Sequence, residues 1–279
     1  MARDADMVAL FDRSLLLRSR EGLICLGAAD IGQGPLNILL ASADDWTAVR
    51  AAAAPCARWS LEPQRLATPD LEIELAGATV WQPSGWPPPA PPARILAAAR
   101  ALDAIILQSA PAEGLARLIA SGGQAVPTPV ARAAVPLVGA MRRWLGAPQP
   151  GDAPPVELLG LGPGATPSGD DVLAGVLLAL DALADHEFGR RLGAAIGAQA
   201  AMRTTPLSVA LLGQAVQGRA ADCLTAVVAA LVSGETEAVG PTALTAGRYG
   251  HSSGWDTLAG MSLALSARLD ASGARSTRC

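Results

Sequence analysis

Two stretches of this chain repeat one pattern, a small polar turn that runs directly into an apolar helix. The first is Leu161-Gly162-Pro163-Gly164-Ala165-Thr166-Pro167-Ser168-Gly169-Asp170-Asp171-Val172-Leu173-Ala174-Gly175, and the second is His251-Ser252-Ser253-Gly254-Trp255-Asp256-Thr257-Leu258-Ala259-Gly260. Setting Thr166 on His251 brings Ser168 onto Ser253, Gly169 onto Gly254, Asp171 onto Asp256 and Gly175 onto Gly260. The register then continues into a Leu-Ala-Leu in both copies. A chain with this duplication has to start two like helices, and one helical body has to accommodate both.

The surrounding pattern divides the chain. From Leu10 to Val80, short apolar runs (Ser14–Leu17, Leu23–Leu26, Leu36–Leu40) and the alternating Leu71-Glu72-Ile73-Glu74-Leu75 read as half-buried strands. Glu21-Gly22 fits a hairpin turn, Gly32-Gln33-Gly34-Pro35 a loop, and Trp46–Ala57 a helix within this part. Five prolines between Pro87 and Pro92 cannot be helix interior or central strand. Beyond them the period is helical: Ile95–Leu107, Leu115–Ile119, Val130–Leu145, Asp170–Ala184, Phe188–Met202, Leu207–Val216, Ala221–Leu231, Thr242–Ala246 and Trp255–Leu269. The expectation is an α+β protein: a small β-rich amino-terminal domain over 1–82, a Pro-rich linker over 83–92, a larger multi-helix domain over 93–270 carrying both glycine turns, and a flexible tail over 271–279.

Composition narrows the chemistry. Hydrophobic residues make up 51% of 279 residues while aromatics are 3%, so the core is expected to be aliphatic helices packed through small residues. A net charge of −4 and the lack of any basic run argue against nucleic acid. All 21 basic residues are Arg, which removes lysine Schiff-base chemistry and leaves anions to Arg and backbone N–H groups. Cys25, Cys56, Cys223 and Cys279 have neither CxxC spacing nor a leading signal peptide, and apolar runs break before the roughly 20 residues that cross a bilayer. A cytoplasmic protein without membrane contact is expected.

Each copy of the repeat satisfies the [ST]-x-x-[DE] capping box, so Ser168 with Asp171 and Ser253 with Asp256 are explained as two helix starts. The positions where the copies differ, Asp170 against Trp255 and Thr166 against His251, are not explained that way. Gly162 and Gly164 let the backbone approach a ligand, and the helix start with Gly169 aims free N–H groups at an anion; Ser252, Ser253 and Gly254 repeat that arrangement. The turn lacks the Lys of a P-loop and the βαβ frame of a dinucleotide fold, which disfavours ATP and NAD. No cofactor is expected, although Asp170 beside Asp171 also has the chemistry for Mg²⁺; the other reading of that pair is stabilisation of the helix dipole. His251 is a candidate to donate to a carbonyl or move a proton, against a structural hydrogen-bonded role, while His186 reads as a solvated turn residue. Arg203, followed by Thr204 and later Ser208, offers a bidentate grip on a carboxylate or phosphate; its alternative is an ordinary arginine ahead of a Thr cap. The candidates are thus Asp170, His251 and Arg203 for catalysis, with Gly162, Gly164, Thr166, Ser168, Gly169, Asp171, Thr204, Ser208, Ser252, Ser253, Gly254 and Asp256 for substrate binding.

The run Gly-Leu-Gly-Pro-Gly-x-Thr-Pro-Ser-Gly-Asp-Asp-x-Leu-x-Gly, then Thr-x-x-x-Ser-x-x-Leu-Leu, then Gly-His-x-Ser-Gly-x-Asp-x-Leu-x-Gly, resembles the AllH-type family, typified by a subunit of oxamate carbamoyltransferase. The likeness is strongest over Leu159–Leu265 and weaker over Phe11–Leu40. This chain carries Ala165 and Val172 where the family usually has Leu and Phe, changes that leave the turn chemistry intact. The resemblance implies carbamoyl transfer between carbamoyl phosphate and oxamate, giving oxalurate and phosphate, with the reverse direction serving purine or allantoin catabolism. It also implies two other, unrelated polypeptides as partners, so the active site is either shared or carried by one of them. A different class of function is a non-catalytic assembly or small-ligand-sensing subunit whose turns only start two packed helices, and a third is a stand-alone enzyme acting on another amide or phosphate.

Overall fold

The computed structural model describes residues 3–53, 58–126, 128–148 and 151–276, with side chains from 4 to 270 within these ranges. The chain divides into two units, Met1–Pro83 and Ser84–Cys279, and the fold is α+β.

The amino-terminal unit is a sheet of β1 (Arg3–Leu10), β2 (Ser14–Ser19), β3 (Gly22–Gly27), β4 (Asn37–Leu39), β5 (Arg58–Glu62), β6 (Arg65–Thr68) and β7 (Leu71–Glu74), with one helix, α1 (Ala43–Ala52), between β4 and β5. The strand order is β4-β3-β2-β1-β5-β6-β7, parallel only between β3 and β4. Gly22, at φ +141°, follows the β2–β3 turn and takes a backbone conformation that a side chain would strain. Leu15, Leu17, Leu26, Trp59 and Leu66 of the sheet close over Trp46 and Val49 of α1. The capping box in this unit belongs to Ser42 and Asp45, which start α1 three residues before the predicted Trp46. The predicted extension of α1 over 54–57 lies outside the described residues. Cys25 and Cys223 are free thiols.

The carboxy-terminal unit comprises α2 (Pro92–Ser109), α3 (Ala116–Ala120), α4 (Pro129–Gly146), α5 (Ser168–Ala182), α6 (His186–Gly197), α7 (Ala200–Arg203), α8 (Pro206–Ala215), α9 (Asp222–Val232), α10 (Thr236–Ala246) and α11 (Ser253–Ser276). The proline run is held to this unit: Trp86 Nε1 donates to Asp181 Oδ2 at 2.7 Å, and Ala90 N donates to the Val232 carbonyl at 2.7 Å. Pro92 then occupies the first turn of α2, where its missing N–H costs nothing. α11 continues to Ser276, well into the expected tail, and 277–279 lie outside the described residues. Among the described residues no helix is long and apolar enough to cross a membrane.

The two helices of the repeat form the centre of this unit, and α5 and α11 are its most closely packed pair. Their crossing is reciprocal. A Cβ on Gly175 would lie 1.9 Å from the Thr257 carbonyl oxygen, and one on Gly260 would lie 2.1 Å from that of Val172. Val172 and Thr257 are themselves equivalent in the repeat, so the contact obeys a local two-fold relation. The entry loops match as well: Gly169 N bonds to Leu161 O as Gly254 N bonds to Tyr249 O, and both glycines face a carbonyl, of Leu158 and Ala246, too closely for a Cβ.

Gly175→Ala and Gly260→Ala are therefore expected to cost about 3 kcal/mol or more each, because the obstructing atoms are backbone and cannot rotate away. Gly213→Ala in α8, where a Cβ meets open space, is expected to add up to about 1 kcal/mol. Chemical denaturation of the full chain checks both, and equal effects at the three positions would contradict the close crossing.

Candidate functional site

The crossing places the amino-terminal ends of α5 and α11 side by side, and with them the two Ser-Gly-x-Asp turns. The capping boxes expected there do not form at α5. Ser168 is its first helical residue, the preceding Pro167 is the cap position, and no side chain caps the helix. The serines act across the two-fold instead: the Ser253 hydroxyl stabilises the Asp171 carboxylate, and the Ser168 hydroxyl stabilises that of Asp256. The spacing that satisfies a local cap also satisfies this exchange, because each acid sits one turn into its helix beside the other helix's first residue.

Asp171 and Asp256 are 7% and 0% exposed. Asp256 Oδ1 accepts hydrogen bonds from the amides of Leu115 at 2.7 Å and Ala116 at 2.9 Å, at the start of α3, and Ser252 adds a hydroxyl. Asp171 has the hydroxyls of Ser253 and Thr166, which bond to each other at 2.8 Å. Oδ2 of both acids has no hydrogen-bond partner among the described residues. Burial pushes the Asp256 carboxyl up to about 6, and burial together with the Asp256 charge pushes Asp171 well above the ordinary carboxylate range. The two backbone amides favour the negative charge on Asp256 over Asp171.

Asp170 is 1% exposed and turns the other way. Its Oδ1 accepts from Gly160 N at 2.7 Å and its Oδ2 from the Thr204 hydroxyl, which ties the glycine loop to the start of α8. Arg203 spans the carbonyls of Val156 and Glu157 and the Gln199 amide oxygen at 3.1–3.3 Å, so its guanidinium is spent on the loop. Thr205 caps α8 and also bonds to Ala165 O. Ser208 is 1% exposed, and its hydroxyl has no partner among the described residues. Gly162, at φ +121°, lies against Ser168, and Gly164, at φ +97°, is exposed with Pro163 and Ala165 at the tip of the loop. The ring of His251 is 78% exposed and 3.7 Å from the Glu113 carboxylate; His186 opens α6, 4.0 Å from Asp181. Trp255, the counterpart of Asp170, is packed on Gly247.

The structure thus joins Thr166, Ser168, Asp171, Ser252, Ser253 and Asp256 in one cluster, puts Asp170, Arg203 and Thr204 in a neighbouring brace, and leaves His251 at the surface. Sequence reasoning missed Gly114, Leu115 and Ala116, whose contribution is backbone: two amides for Asp256, and a glycine whose Cβ would lie 2.6 Å from Asp256 Oδ2. The only sequence signal was the glycine before the Leu115–Ile119 run. No cluster of three or more His, Cys, Asp or Glu side chains is placed to hold a metal among the described residues. A cleft of 590 Å³ lies elsewhere, between Trp86 and the faces of α9 and α10, and no residue of the repeat lines it.

For Asp256, a folded pKa of about 6 against 3.8 unfolded means that stability is fullest below pH 4 and is lost as pH rises through 6. That loss is on the order of 3 kcal/mol. The melting temperature of the full chain is expected to fall across this window, and to fall less in Asp256→Asn. An unchanged slope in the variant would contradict the buried charge.

No curated protein and no solved structure matches the chain. The segment that builds the cluster and its brace, residues 158–265, matches the family model described as the oxamate carbamoyltransferase subunit AllH.

Proposed function

We propose that this chain is a subunit of a carbamoyltransferase complex that acts on carbamoyl phosphate and oxamate, or on oxalurate and phosphate in the reverse direction. The observation that carries this reading is the meeting of the two turns around one buried carboxyl pair, within the segment that matches the family model. In the forward reaction the oxamate nitrogen attacks the carbamoyl carbon, the new C–N bond forms as the C–O bond to phosphate breaks, and the proton lost by nitrogen ends on phosphate. The transition state places negative charge on the carbonyl oxygen and the departing phosphate, which preorganised donors stabilise. The exposed loop tip at Pro163, Gly164 and Ala165, with Gly162 behind it against Ser168, suits the anionic end of such a substrate.

A second reading has its own support. The glycine contacts of α5 and α11 explain much of the repeat as packing, which favours an assembly subunit that catalyses nothing itself.

Reconstituting the complex with its other subunits separates the two. Omission of this chain is expected to abolish carbamoyl phosphate formation from oxalurate and phosphate, and Asp256→Asn to lower it by about 100-fold with the complex intact. Full activity of an intact Asp256→Asn complex would support the assembly reading, and full activity without the chain would refute both.

A further inference from the structure

We propose that the Asp171–Asp256 pair is a subsite for a primary-amide or ureido NH₂ group, and that it is this pair, not a cationic side chain, that selects the amide end of the substrate. The inference rests on the carbamoyl-transfer reading above and names which part of the substrate this chain holds.

Two acceptor oxygens, Oδ2 of Asp171 and Oδ2 of Asp256, are buried and have no partner among the described residues. Unpaired buried carboxylate oxygens cost more than almost any other polar group, so a fold that retains two on facing helices leaves them for a donor it does not itself supply. The Gly114 backbone lies directly against one of them, since a Cβ there would fall 2.6 Å from Asp256 Oδ2. The groups at the rim, Thr166, Ser252 and Ser253, are half-buried hydroxyls that rotate to donate or accept.

The charge state sets the ligand class. The negative charge of the carboxyl pair repels phosphate and carboxylate. A divalent cation needs more ligands than two carboxyl groups provide here. An ammonium ion would bring a full charge out of water into a nearly closed site. A planar NH₂ is neutral and offers two diverging N–H bonds, one for each orphaned oxygen, at the lower desolvation cost of an amide. Oxamate, carbamoyl phosphate and oxalurate all end in such a group.

Calorimetric titration of the full chain with oxamate and with oxalate tests this, because the two ligands share a carboxylate end and only oxamate carries the NH₂. Saturable oxamate binding is expected, with oxalate weaker by at least about tenfold. Asp171→Asn, nearly isosteric, is expected to weaken oxamate by a similar factor while the chain remains folded by thermal melting. Asp103→Asn, which alters a buried acid bonded to Ser262 away from the site, should leave binding unchanged. Equal binding of oxalate, displacement of oxamate by ammonium or Mg²⁺, no saturable oxamate binding, or an unaffected Asp171→Asn would each overturn the subsite. If the complex loses activity without this chain but the chain does not bind oxamate, only the subsite fails. If the chain binds oxamate but the complex is fully active without it, only the subunit reading fails.

Discussion

The contact on which the helical unit depends is the backbone-to-backbone crossing of α5 and α11 at Gly175 and Gly260. Helices normally pack 8–10 Å apart because side chains separate them, and glycines that meet a carbonyl directly bring the axes closer. The duplicated sequence makes the crossing reciprocal, and reciprocity brings the two amino-terminal turns to the same end. The exchange of serines between Asp171 and Asp256 follows from that geometry, as does the position of α3 beside Asp256.

This arrangement works against stability. Two carboxyl groups with almost no exposure are held together, burial and the charge of Asp256 raising the Asp171 carboxyl, and the fold offers hydroxyls and two amides in place of a cation. Leucines of similar volume would pack the same space at no electrostatic cost. Local sacrifice of stability is common where a group must meet a ligand, and the surrounding aliphatic core of α5, α9 and α11 is large enough to carry it. Asp170, Thr204 and Arg203 serve the same end by securing the loop that precedes α5.

Much of this was legible in the sequence, for physical reasons. The repeat fixed the starts of α5 and α11 to within two residues, because glycine, serine and acid at a helix entry leave few alternatives. The alternating and short apolar runs located β2, β3, β4 and β7. β1, β5 and β6 escaped because Arg3, Asp4, Asp6, Arg58, Glu62 and Arg65 mask their inward residues. The proline run has the composition of a linker, yet Trp86 and Ala90 bond to helices whose relevant atoms lie some hundred residues away. Backbone amides such as those of Leu115 and Ala116 carry no residue signature at all. Arg203 has the chemistry of an anion grip, but carbonyl oxygens compete for a guanidinium as effectively as a substrate does.

Asp171 and Asp256 form one buried pair in which burial and the charge of Asp256 together raise the Asp171 carboxyl. The direct measurement is a pH titration of the side-chain carboxyl ¹³C resonances of the aspartate-labelled chain, assigned with Asn variants. Asp171 is expected to titrate well above the ordinary carboxylate range and Asp256 near 6, and loss of Asp256 is expected to bring Asp171 down toward that range. Two independent titrations near pH 4, each indifferent to loss of the other acid, would contradict it.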